Sequence, residues 1–96
     1  MAPQCLTPAE IAELRRTLPA WQVTEGQLVR EIQAPTFAIA IKWVVAIAQA
    51  AEEMDHHPDI DIRWRTLRIA LITHSTGCLT ALDVDLAHRI DAIMCL

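Results

Sequence analysis

The sequence has no run of basic residues, no Cys-x-x-Cys spacing, no His-x-His or His-x-x-x-His pair, and no apolar stretch of membrane-spanning length. Each absence removes a class of function. With a net charge of −4 and a pI near 5.4, the chain lacks the electrostatic footprint that nucleic acid or an anionic membrane surface requires. Arg63, Arg65 and Arg68 come closest to a basic cluster. They alternate with Trp64 and Leu67, which is the pattern of a strand's polar face. The most apolar stretch, residues 37–51, is interrupted by Lys42 and Gln49 and is shorter than the roughly 20 residues a membrane span needs. Residues 1–8 offer neither a basic start nor an apolar run, so no secretory signal is expected.

Cys5, Cys78 and Cys95 are odd in number and far apart. That spacing argues against a disulfide framework and against a thiolate zinc site, and it favours a reducing compartment. A cytoplasmic location is the resulting expectation.

What is present is a foldable globular chain. Of 96 residues, 53% are hydrophobic and 21% charged, enough for one core and too little for two, so residues 1–96 are read as one domain. Thr7-Pro8-Ala9-Glu10 carries a capping box and opens a helix that Pro19 ends. Trp21-Gln22-Val23 and residues 28–32 flank Thr24-Glu25-Gly26-Gln27, a hairpin turned by Gly26. Pro35 and Thr36 open a second helix that should reach about Asp55. All of its residues from 37 to 51 except Lys42 and Gln49 are apolar. A helix lying on a sheet needs only one apolar stripe. The remaining face, assigned to Trp43 and Ile47, should therefore be covered by another subunit.

After Pro58, Ile60, Ile62 and Trp64 alternate with polar residues as a third strand; a fourth runs from Leu67 to His74. Gly77-Cys78 is a loop, and Thr80-Ala81-Leu82-Asp83 is a second capping box before a last helix. The order is α-β-β-α-β-β-α. It predicts an α+β fold: a four-stranded antiparallel sheet with three helices packed on one face.

Three of the four histidines stand close to carboxylates: His56 and His57 in Asp55-His56-His57-Pro58, and His74 beyond the hairpin. Histidine exchanges protons near neutral pH, so such a cluster suits acid/base chemistry. Helical spacing places Glu52 on the face of His56. Two other readings of these residues stay open. Imidazole and carboxylate also suit zinc or iron, although adjacent histidines point apart. Histidines at a helix C-terminus also interact favourably with the helix dipole. Asp83 has a structural explanation in its capping box, and Trp21 fits either a pocket wall or the core.

The pattern Glu52-x3-His56-His57-Pro58, then Trp64, Thr73-His74 and Leu79-Thr80-x-x-Asp83, resembles the signature of the pterin-4a-carbinolamine dehydratases, and the order of elements is similar over nearly the whole chain. The resemblance implies dehydration of 4a-hydroxytetrahydropterin to quinonoid dihydropterin without a metal or organic cofactor. It implies His56 and His74 as the acid/base pair and His57 as a residue that orients the pterin. Glu52 and Asp55 would orient or charge-tune the imidazoles. Asp55 and Thr73 would line the substrate pocket, which Trp21 and Asp83 would help to form. It further implies a homodimer or homotetramer with paired edge strands and bundled central helices. Relatives that serve as transcription-factor dimerisation cofactors or Rubisco assembly chaperones supply the alternative, a binding protein with a protein client. Ile72 and Cys78 depart from the family pattern; Cys78 stands at the second glycine of a common Gly-Gly loop.

Overall fold

The computed structural model describes residues 3–95. Helix α1 (Pro8–Thr17) starts at its capping box: the Glu10 amide donates to Thr7 Oγ1 (3.2 Å) and the Thr7 amide to Glu10 Oε1 (2.9 Å). Strands β1 (Gln22–Thr24) and β2 (Gln27–Gln33) are joined through Glu25 and Gly26, both at positive φ (52° and 75°). Two consecutive positive φ values are the mark of the type I′ turn, whose twist matches a hairpin. Helix α2 (Phe37–Met54) is capped by Thr36, whose hydroxyl accepts the Ile39 amide. Strands β3 (Asp59–Arg63) and β4 (Thr66–Leu71) and helix α3 (Ala81–Ile93) complete the expected order.

The strands form one antiparallel sheet in the order β1-β2-β4-β3. Its register sorts the side chains by face. Leu28 pairs with Leu71, Ile32 with Leu67 and Ile60 with Ile69 on one side. That side packs with Leu14 and Leu18 from the first helix region, Trp43 and Ile47 from α2, and Leu86 and Ile90 from α3. On the opposite side Glu31, Arg68 and Asp61 lie side by side across three strands, a row of alternating charge suited to water. The helices therefore cover one face, as the patterning predicts.

Three expectations need correction. Trp64 does not continue β3. The pairing of Arg63 with Thr66 closes the hairpin first, leaving Trp64 in the turn at φ 54° and 69% exposed. The Arg65 guanidinium lies 4.7 Å from its ring centroid, a cation–π contact. Secondly, Trp43 and Ile47 need no second subunit. They belong, with Ala40 and Ala50, to the stripe of α2 that faces the chain's own core. The apolar face left open consists of Phe37, Ile41 and Val45, one turn apart and 50%, 38% and 54% exposed.

Thirdly, Cys5 and Cys78 form a disulfide. Sequence separation of 73 residues hides the pair from any spacing argument. Only the fold brings the segment before α1 beside the loop before α3, where the Leu6 amide also donates to the Leu79 carbonyl (2.8 Å). The cysteine argument for a reducing compartment falls with this bridge. On chain-entropy grounds a closed loop of that size contributes roughly 3–5 kcal/mol. Among the described residues, no helix is long and apolar enough to cross a membrane.

Candidate active site

The site is built where α2 ends. Asp55 adopts the left-handed conformation (φ 49°, ψ 43°), which aspartate tolerates better than most non-glycine residues. Its amide donates to the Glu52 carbonyl (3.2 Å), and the His56 amide reaches back to the Ala51 carbonyl (3.0 Å). These are the two bonds of a Schellman motif. The reversal separates two neighbouring side chains. His56 turns inward and is buried, whereas His57 turns out to solvent.

Inside, His56 Nε2 lies 2.6 Å from Asp83 Oδ1. Asp83 is fully buried, in the first turn of α3, and its second oxygen accepts the Thr73 hydroxyl (2.8 Å) and the Thr80 amide (2.9 Å). An ionised carboxylate only accepts, so His56 donates its Nε2–H. The Thr73 hydroxyl spends its proton on Asp83. The 2.7 Å contact between the two threonine hydroxyls is then Thr80 donating to Thr73, while Thr80 Oγ1 accepts the Leu82 amide. Every proton in this buried set thus has a defined acceptor, which fixes the ring of His56 and leaves Nδ1 as its other proton-exchanging atom.

Thr73 ties the third histidine to the same network. Strand β4 ends at Leu71 rather than at His74. His74 instead begins a turn closed by an isolated bridge between Thr73 and Cys78, with the Gly77 amide donating to the Thr73 carbonyl (2.8 Å). His74 is exposed and adjacent in sequence to a residue that shares Asp83 with His56. The exposed rim is completed by Glu52, whose Oε2 lies 3.0 Å from His57 Nε2.

That pairing differs from the helical spacing, which put Glu52 with His56. The left-handed turn at Asp55 breaks the helical register, so Glu52 meets His57 and Asp83 takes His56. The Asp55 contribution visible here is this backbone reversal. Trp21 stands apart: it is buried, its indole N–H donates to Asp91 (2.7 Å), and Arg30 binds the same carboxylate oxygen. The cavity Trp21 lines, together with Ile11, Arg15 and Thr24, contains no histidine. Thr80 was legible only as a cap; its hydroxyl link to Thr73 depends on two loops meeting. Among the described residues, no three His, Cys, Asp or Glu side chains are placed to hold a metal ion together.

Comparison with known proteins agrees with this architecture. The family model described as pterin 4 alpha carbinolamine dehydratase matches residues 4–93. A Nocardia farcinica protein with the provisional name pterin-4-alpha-carbinolamine dehydratase is 45% identical over 93 residues, covering 97% of this chain and 98% of its own. A similarly named Mycobacterium bovis protein is 47% identical over 88 residues, covering 92% and 94%. Among solved structures, a Brucella melitensis protein titled transcriptional coactivator/pterin dehydratase superposes with a TM-score of 0.90 at 30% identity, covering 94% of this chain and 98% of its own. A pterin dehydratase-like protein described as a RuBisCO assembly factor of the alpha-carboxysome shares the fold, with a TM-score of 0.62 at 23% identity over 76% and 84%. With nearly its whole length matched, the chain belongs to the pterin-4a-carbinolamine dehydratase family.

Proposed function

We propose that this protein dehydrates 4a-hydroxytetrahydropterins to the quinonoid dihydropterin, in support of tetrahydrobiopterin recycling. The observation that carries the reading is the buried His56–Asp83 pair, held by Thr73 and Thr80, with the exposed His74 next to Thr73 in sequence. Loss of the 4a-hydroxyl as water needs one proton delivered to that oxygen and one removed from a ring nitrogen. Asp83 holds the Nε2–H of His56, which leaves Nδ1 to accept the ring-nitrogen proton, while His74 delivers a proton to the departing hydroxyl. His57, steadied by Glu52, orients the pterin at the rim. Asp83 is a positioning residue here: it acts through His56 and need not touch substrate.

The test is a dehydration assay on purified protein. Acceleration over the spontaneous reaction is expected; its absence would sink the enzymatic reading and leave a binding protein with a protein client in the lead. The open stripe Phe37, Ile41 and Val45 supports self-association as a homodimer or homotetramer, because a monomer that small gains by covering it. Light scattering at micromolar concentration should find an oligomer, and Val45→Glu should shift it toward monomer. A wild-type monomer would overturn that part alone.

A further inference from the structure

Cys78 is not only half of a disulfide; it is the residue that closes the turn beginning at His74. Its carbonyl accepts the Thr73 amide (3.1 Å), and Thr73 in turn binds Asp83. The other half of the disulfide, Cys5, lies in the irregular segment ahead of α1 and is exposed. A cavity of about 500 Å³, lined by Pro3, Gln4, Cys5, Leu6, Glu10, Ala81 and Leu82, opens beside it. A sulfur so placed is open to attack by an incoming thiolate. Besides the disulfide, this segment is held to the loop by the Leu6–Leu79 backbone bond and by packing of the partly buried Leu6 against the core. The turn itself passes through Gly77 at φ 68°, and its first residue, His74, is in contact with solvent. Within the turn the Thr73 carbonyl accepts the amides of Thr76 (3.2 Å) and Gly77 (2.8 Å) and the Thr76 hydroxyl (3.2 Å), and the disulfide is the covalent tie between the turn and the segment ahead of α1.

We propose that the Cys5–Cys78 disulfide is a redox-responsive clamp that positions His74, so that a dithiol reductant loosens the turn and lowers turnover while the His56–Asp83 pair stays in place. The proposal rests on the dehydratase reading for its effect on rate, but not for its effect on structure. Chemically, one thiolate of the reductant attacks the Cys5 sulfur and the Cys78 thiolate leaves, taking up a proton. The second thiol of the reductant then attacks the mixed disulfide, and Cys5 departs as a thiol. Two electrons pass from the dithiol, which ends as its own disulfide, and the chain gains two thiols.

The buried half of the site should be indifferent to this change. Only the Thr73 hydroxyl reaches Asp83 from the turn; Asp83 is also held within α3 and by the Thr80 amide, and His56 by the Schellman bonds of α2. Reduction therefore separates the two histidines energetically: one stays fixed and the other gains freedom. Loss of orientation at an acid/base group lowers kcat more than it raises KM, because proton transfer depends on geometry in the transition state.

The experiment compares the oxidised protein, the same protein treated with dithiothreitol, and Cys5→Ser. Amide hydrogen exchange across residues 73–79 should quicken by at least about tenfold after reduction and in Cys5→Ser, with the interior of α3 unchanged. The kcat of dehydration should fall several-fold and return on reoxidation, whereas dithiothreitol should leave Cys5→Ser unaltered. Unchanged exchange in the turn would overturn the clamp. So would global unfolding on reduction, which would make the bridge a staple of the whole fold, or recovery of all three cysteines as free thiols from non-reducing purification. If the oxidised protein has no dehydratase activity at all, the functional reading fails, and the exchange measurement alone still decides the clamp.

Discussion

One peptide bond separates His56 from His57, yet their surroundings have little in common. His56 is buried against a carboxylate with no exposed surface, in a set where each hydroxyl and amide proton is assigned. His57 is more than half exposed and meets a glutamate that is more exposed still. The cause is local and small: a single left-handed residue, Asp55, at the end of α2. The contrast teaches that a run of like residues in a site need not be a run of like roles. The inward member is held in a fixed orientation; the outward member, with His74, is free to meet a ligand.

Removing Asp83 should break this contrast most severely. Asp83→Ala strands the ring N–H of His56, the Thr73 hydroxyl and the Thr80 amide without their acceptor in a dry interior. Orphaned buried donors of this kind cost about 1–3 kcal/mol each before relaxation, so a loss of about 3 kcal/mol in denaturant unfolding is expected, together with most of the activity. A loss under about 1 kcal/mol would mean that water reaches the network and that the interior is less closed than described.

The two histidines proposed as the acid/base pair come next. His56→Ala and His74→Ala should each slow dehydration by about 10²-fold or more, and the double variant should lose less than the product because the groups act as a unit. Stability should tell them apart. His56→Ala leaves the Asp83 carboxylate short of a partner and should lower the unfolding midpoint, whereas His74→Ala, on an exposed turn, should hardly move it. The reason is burial: His56 lies in the interior and His74 at the surface. Equal midpoints for both variants would erase the distinction between buried and exposed halves.

The smallest effects belong to the rim. Glu52→Ala removes an exposed pairing with His57, worth under about 1 kcal/mol, so a modest rise in KM with stability unchanged is the expected result. His88, exposed on α3 and outside the cluster, is the control, and His88→Ala should leave kcat and unfolding alike. A rim variant as damaging as Asp83→Ala would invert the ordering.

Much of this protein was determined by its sequence alone. Both capping boxes, the Glu25-Gly26 hairpin and the strand alternation are short-range devices, in which hydrogen bonds and turn geometry involve residues a few positions apart. They fix the element order and, through the pleat, the single covered face of the sheet. The histidine cluster and its family pattern were equally legible, since residue type and spacing carry them. Tertiary structure decided the rest because those facts join distant segments. Asp83 could be read as a cap, but its bond to His56 spans 27 residues. Trp43 and Ile47 could be read as apolar, yet which side of α2 faced the sheet depended on how the helix was laid upon it. The Cys5–Cys78 bridge is the extreme case. Nothing in two isolated cysteines 73 residues apart reveals a bond, and only the meeting of the segment before α1 with the loop before α3 brings their sulfurs within reach.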